Sequence, residues 1–502
     1  MTNLSAAGLY ASYVERMHKI ADLRYASALL QWDQETYLPP KGAVIRGQQI
    51  ATLSEIAHQQ FTDEALGALL QQLLGKADLS ADEKRNVELS WEDYSKQKKL
   101  PSAFVRTLTE AVNKSFHSWI EARKASNFDL FAGDLAKLVE LKKQEADLLG
   151  FEKHPYDALL NDHDKGATVQ LLEKTFDTVR QPLKNLLDKI LAQPQVDNSF
   201  LQQHYPKDKQ WAFSMQLLKD LNYDLEAGRQ DVSEHPFTVN FNSNDVRVTT
   251  RIDENDLSNM TWSCIHEAGH ALYEQGLPIE QYGLPLGEPV SFTIHESQSR
   301  LWENHVGRSR AFCEHYFPVL QQFFPQQLAN ITVEQFYYGV NKVEPSLIRT
   351  ESDEETYHFH VMIRYELEKL LLEGAIKTTD IPAYWNEHYH KYLGVTVPND
   401  KEGCLQDVHW SHGSFGYFPT YSLGSFYAAQ FYRAANQAIP ALATQIKAGN
   451  GADLLQWLRN QIHKEGRKYA SEDLSKKVSG EPLNIQHFLS YLLDKYKDIY
   501  KF

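Results

Sequence analysis

The chain has 502 residues and a formal net charge of -15, with 42% hydrophobic and 12% aromatic residues. That apolar content supports a large core and excludes a disordered chain, while the negative balance argues against a nucleic-acid partner, whose phosphates it would repel. The 3 cysteines, Cys264, Cys313 and Cys404, form no CxxC pair and no disulfide framework, which fits a reducing, cytoplasmic location.

The opening stretch, MTNLSAAGLYASYVERMHKIADL, lacks the basic start and unbroken apolar stretch of a secretory signal. No apolar run approaches the length of about 18 that a membrane-spanning helix needs. Residues 80–99 are dense in charge and read as a helix with a solvated face. Phe131, Leu135, Leu138, Leu141, Leu148 and Leu149 form one helical stripe, stopped by Gly150. Residues 237–252, FTVNFNSNDVRVTTRI, break the helical pattern. They read as a β-hairpin turning at Asn242-Ser243-Asn244-Asp245, placed to form an edge of an active-site cleft. Residues 354–374 return to helix, with Val361, Ile363, Leu367, Leu370 and Leu371 apolar, Glu and Lys on the other faces and Gly374 as the stop. HFLSYLLDKYKDIY near the C-terminus is a further amphipathic helix. No repeat of fixed period and no low-complexity linker interrupts the chain. The fold class is mainly α with a small β ribbon.

Chemistry concentrates in TWSCIHEAGHALYEQG, residues 261–276. His266 and His270 are four residues apart and project from one helix face, where two imidazoles can bind one zinc ion. Glu267 stands beside them, able to accept a proton from a zinc-activated water and pass it to a leaving amine. Trp262, Ile265, Ala271 and Leu272 make the helix apolar enough to be buried, and buried histidines need partners. Ala268 and Gly269 are small and allow close packing against a neighbour. Tyr273 and Gly276 occupy the positions where the longer HExxHxxGxxH motif would place Gly and His, so a third ligand must come from another segment. SFTIHESQSRLWENHVGRSR, residues 291–310, offers His295, Glu296 and Glu303. Glu296 fits best, with His295 and Glu303 as groups that orient the ligands. Cobalt or manganese can occupy the same donors.

Other polar clusters suit a peptide. Arg349 in IRTESD and Arg247 in the hairpin are cations that could grip a terminal carboxylate. GCLQDVHWSHG supplies Gln406, Asp407, His409 and His412, and GYFPTYSLG supplies Tyr417 and Tyr421, where a Tyr or His could donate to an oxyanion. Spacing alone does not choose among them.

Several segments together resemble the carboxypeptidase Taq family of zinc metallocarboxypeptidases. WDQETYLPP at 32–40, HPF at 235–237, DVRVT at 245–249, HEAGH at 266–270, HESQ at 295–298, IRTESD at 348–353, GCLQDVHW at 403–410 and GEPLN at 480–484 follow in family order over nearly the whole chain. The resemblance implies one peptidase domain of two helical halves flanking a deep cleft, similar to neurolysin-like peptidases. It also implies a homodimer and removal of C-terminal amino acids with broad specificity. It carries over His266, His270 and Glu296 as ligands and Glu267 as base. Arg349 and Arg247 fall at the closed end of the cleft, with Tyr421, His409 and His235 as further substrate-binding candidates. Ser352 stands where IRTESD often has Ala. Two competing expectations are an oligoendopeptidase or dipeptidyl carboxypeptidase of the neurolysin type, and a helical scaffold with a structural metal. The intact Glu267 argues against the scaffold.

Overall fold

Apolar residues recurring at helical spacing make helix the default state of this chain, and in the computed structural model, which describes residues 5–502, nearly every long element is α-helical. The first, Ala6–Thr36, is capped by the Ser5 hydroxyl, which accepts from the Gly8 N–H. The first four residues of the opening stretch lie outside the described residues. A turn at Pro40–Gly42 leads into Ala43–Phe61, which packs back on the first helix. The charge-rich segment is the helix Ala81–Lys98, started by a reciprocal Ser80–Glu83 capping box and burying Val87, Leu89 and Tyr94. Asp129–Leu149 ends at Gly150, whose φ of 83° suits glycine.

The helix expected over 354–374 runs Tyr357–Glu373 and stops at Gly374, with φ 75°. It begins late because Asp353 Oδ1 accepts from the Glu355 and Thr356 N–H groups and holds the preceding turn. Its polar residues do not all face water. Every residue from Tyr357 to Tyr365 is buried, His358, His360 and Arg364 included. The buried Glu368 carboxylate accepts from Trp410 Nε1 at 2.8 Å, Gly416 N at 2.7 Å and the Tyr156 hydroxyl, which counter only part of its desolvation, and burial still pushes the carboxyl up to about 7. This is a central helix, covered by Ile381–Leu393 and Phe418–Ala438.

The hairpin forms as β2 (Thr238–Asn242) and β3 (Asp245–Thr250), antiparallel. A third strand joins it: β1 (Gly228–Val232) pairs parallel to β3, giving the order β1-β3-β2. GRQDV carries no alternating apolar pattern, so it gave no strand signal; Val246 and Val248 of β3 supply the apolar face. The sheet packs on the helix Leu257–Glu274.

One large core runs through the helices of the main body. The N-terminal helices keep a second, smaller core of Leu9, Tyr13, Met17, Ile20, Phe61 and their neighbours, to which Leu284 contributes. The three cysteines are buried and unpaired. Among the described residues no helix is long and apolar enough to cross a membrane.

The helices Leu257–Glu274 and Phe292–Arg300 meet at Gly269, where a Cβ would lie 2.6 Å from Ser299 Cα and 2.8 Å from the Gln298 carbonyl oxygen. Both are backbone atoms and cannot move aside without shifting a helix. Gly269→Ala should therefore cost about 1–3 kcal/mol by overpacking, read as a lowered melting temperature in thermal denaturation.

Candidate active site

The helix Leu257–Glu274 starts where the Asp256 carboxylate caps the Ser258 N–H, and it carries His266 and His270 one turn apart. Glu296 comes from the next helix, Phe292–Arg300. Its Oε2 lies 3.7 Å from His266 Nε2 and 3.5 Å from His270 Nε2. One ligand atom from each of the three falls within 4.8 Å of the others, and no other such group of three or more His, Cys, Asp or Glu occurs among the described residues. Gly424 permits this from the far side: a Cβ there would sit 2.7 Å from Glu296 Cβ and Cγ, so the helix Phe418–Ala438 presses its backbone against the glutamate.

Behind the cluster each imidazole is held by its other nitrogen. His266 Nδ1 is 2.9 Å from Glu303 Oε2. His270 Nδ1 is 2.5 Å from His295 Nδ1, whose Nε2 is 2.7 Å from Glu274 Oε1, and Asn240 of β2 donates to Glu274. Both Nε2 atoms are thereby turned to one point. Glu303 lies in a π-helical stretch, Leu301–Gly307, a local widening frequent at functional sites. Arg300 donates from Nε to Glu296 at 2.7 Å and from Nη1 to Glu303 at 3.0 Å.

Electrostatics keep Glu296 and His270 in ligating form. Burial would raise the Glu296 carboxyl, but Arg300, His266 and His270 outweigh it and hold it well below the usual range. Glu303 is likewise held low against its burial, by Arg300 and His266. Burial, reinforced by His295, pushes the His270 ring down to about 3, so it is neutral at pH 7. Burial also works on His266, but Glu296 and Glu303 overcome it and raise that ring. Two neutral-capable imidazoles and one carboxylate, with their outer nitrogens occupied, fit a divalent metal with a taste for N and O donors.

Glu267 is 7% exposed, and its Oε2 accepts from the Thr238 hydroxyl of β2 at 2.6 Å. Burial raises its carboxyl above the ordinary value, against the lowering effect of His266. The hairpin is therefore an edge of the site, as its position in sequence suggested.

At the other group of candidates, Arg349 is 4% exposed, and its Nε and Nη2 both donate to Asp407 Oδ1, at 3.2 and 2.8 Å. Its Nη1 donates to the Tyr357 hydroxyl at 2.9 Å, and its guanidinium lies 4.7 Å over the Tyr421 ring. The Tyr421 hydroxyl is 3.1 Å from His409 Nε2. Arg300 stacks 4.5 Å over Tyr357, so one tyrosine touches both the partner of Glu296 and Arg349. Arg247 is gripped by Asp245 at 2.9 Å through both Nε and Nη2, and stacks 4.5 Å over Trp32 of the first helix. His235 is exposed, and its carbonyl accepts from Ser233.

Thr238, Glu274, Arg300, Tyr357 and Arg364 also belong to these networks and were not singled out in the sequence. Glu274 and Arg300 were within reach, since each stands four residues beyond a candidate ligand on its helix. Thr238 had no such signal.

An HExxH helix facing a glutamate from a second helix, in an almost wholly helical chain, defines a metallopeptidase. A model of the carboxypeptidase Taq (M32) metallopeptidase family matches residues 12–496, and the chain belongs to that family. Carboxypeptidase 1 of Bacillus subtilis is 37% identical, over 97% of this chain and 98% of its own. Thermostable carboxypeptidase 1 of Thermus thermophilus is 39% identical, over 98% and 99%. The crystal structure of the M32 carboxypeptidase from Deinococcus radiodurans R1 superposes with a TM-score of 0.97 at 38% identity, covering 98% of this chain and 100% of that one. The protein is thus a metallocarboxypeptidase, a peptide-bond hydrolase of helical fold.

The geometry predicts a graded loss of metal. His266→Ala, His270→Ala or Glu296→Ala should abolish stoichiometric metal, whereas Glu303→Ala or His295→Ala, which remove only the support behind a ligand, should weaken affinity about 10–100-fold. Metal content after dialysis against a graded chelator series separates the two. Full occupancy in either His→Ala variant would overturn the ligand assignment.

Proposed function

We propose that the chain is a zinc-dependent carboxypeptidase that removes single C-terminal residues with broad specificity, with His266, His270 and Glu296 as ligands and Glu267 as general base. The observation that carries this reading is the convergence of two Nε2 atoms and one carboxylate oxygen whose supporting contacts aim them at one point. When bound there, zinc supplies Lewis-acid polarisation of a carbonyl and of a water. Glu267 takes a proton from the attacking water and hands it to the leaving amine. Its raised carboxyl suits both halves of that transfer. The Thr238 hydroxyl fixes which oxygen of Glu267 points toward the substrate.

The exopeptidase part rests on Arg349. A terminal carboxylate entering a closed cleft must meet a fixed cation, because an unpaired buried anion is costly. Arg349 is that anchor in this reading, with Tyr421 as oxyanion donor oriented by His409. Arg247 and His235 are further substrate-binding candidates in this reading; Asp245 holds the Nε and Nη2 of Arg247 as Asp407 holds those of Arg349. We read the chain as a single domain of two helical halves that works as a cytoplasmic homodimer; the buried, unpaired cysteines favour a reducing compartment.

Two experiments test this. Glu267→Gln keeps shape but not basicity, so zinc should stay while kcat falls about 10³-fold; a variant with near wild-type turnover would sink the general-base role. Mass spectrometry of a mixed peptide pool, with and without chelator, should give ladders of single-residue C-terminal losses that stop when metal is stripped. Internal fragments or dipeptide losses would instead favour the endopeptidase or dipeptidyl reading. On matched free-acid and amidated peptides, Arg349→Met should raise KM for the free acid about tenfold or more and affect the amide far less, a charged hydrogen bond being worth about 1.5–3 kcal/mol.

A further inference from the structure

Arg349 does not stand alone against Asp407. A second guanidinium, Arg364 of the central helix, is fully buried and takes the other carboxylate oxygen: its Nε donates to Asp407 Oδ2 at 2.6 Å, and its Nη2 lies 2.6 Å from the same atom. Nη2 also donates to Gln406 Oε1 at 2.9 Å, and Nη1 donates to the His360 carbonyl at 2.7 Å and the Tyr389 hydroxyl at 3.3 Å. A guanidinium has five N–H donors, and four hydrogen bonds hold those of Arg364. Arg349 commits Nε, one Nη2 proton and one Nη1 proton. What remains is one proton on each terminal nitrogen. Protons left on a guanidinium can donate to a further carboxylate.

The charges follow the same division. Two guanidiniums share one carboxylate, so one positive charge is left uncompensated. His409, whose Nδ1 is 3.9 Å from Asp407 Oδ1, is kept neutral by burial, its ring pushed down to about 3, and adds nothing to the balance. Gln406 Oε1 accepts from both the Arg349 backbone N–H, at 2.9 Å, and Arg364 Nη2, tying the two arginines to one frame.

We propose that Arg364 is a positioning residue for carboxylate recognition: by holding Asp407 Oδ2 it limits the aspartate to one oxygen on Arg349 and leaves the remaining Arg349 protons, and one net positive charge, for the substrate's C-terminus. Without Arg364, both Asp407 oxygens are free to turn to Arg349, and the carboxylate then cancels its charge. The inference rests on the reading of Arg349 as carboxylate anchor, and the test separates the two.

The quantity to measure is the ratio of kcat/KM for a free-acid peptide to that for its amide, on zinc-loaded full-length enzyme. A wild-type ratio near one would remove the anchor reading itself. With a high wild-type ratio, Arg364→Met should lower it about tenfold or more, through KM, with zinc content unchanged. The double variant Arg364→Met with Asp407→Asn should recover most of the loss, because the group that closes on Arg349 has gone. A merely structural Arg364 predicts no such rescue. An Arg364→Met ratio equal to wild type, or a double variant as low as the single, overturns the proposal. Should Arg364→Met fail to fold, Arg364→Gln, which keeps a donor for the His360 carbonyl, is read by the same criteria. Asp407→Asn alone should then leave the ratio at or above wild type, and a fall there counts against the proposal.

Discussion

The site is built from buried helices, and a buried charge must be paired. That requirement organises both ends of the site. Arg300 sits one turn beyond Glu296 and three residues before Glu303, so a single guanidinium compensates the carboxylate that faces the histidine pair and the carboxylate that supports His266. Without it, two acids in a dry interior would be driven toward protonation rather than stay ready to bind a cation. The same cation packs on Tyr357, whose hydroxyl meets Arg349, and so the pairing runs on to the second polar centre without a break.

The two ends use this constraint in opposite ways. At the histidine cluster, every outer nitrogen is backed and the inner ones are left pointing at a common centre, which leaves the site short of a cation. At Asp407, two arginines meet one acid, which leaves the site short of an anion. A peptide whose bond lies at the first centre and whose terminus lies at the second would complete both. This complementarity is the physical content of the proposed exopeptidase reading.

The small sheet has a role out of proportion to its size. β2 reaches the HExxH helix through Thr238 on Glu267 and through Asn240 on Glu274, and β3 turns Arg247 toward Trp32 of the first helix. One ribbon therefore touches the proposed base, the far end of the His270 support and the N-terminal helices. Gly269 and Gly424 do the complementary work on the helical side, letting backbones approach where a methyl group would not fit.

Much of this was legible in the chain itself. Period-3.6 stripes and glycine stops marked the helices near 131–149 and 354–374, and the run FTVNFNSNDVRVTTRI marked β2 and β3, because local periodicity and turn chemistry act over a few residues. The HExxH spacing by itself put His266 and His270 on one helix face, and the absence of the longer motif sent the search to Glu296. Tertiary structure alone decided what depends on contacts between distant segments: β1 has no strand pattern and exists because β3 lies beside it; the helix at Tyr357–Glu373 is central rather than amphipathic because other helices cover its polar positions. The state of Arg349 was equally hidden, since its charge balance depends on an aspartate 58 residues away and on how Arg364 holds that aspartate. Spacing along the chain reports which side chains share a face; which charges cancel is set by three-dimensional neighbours.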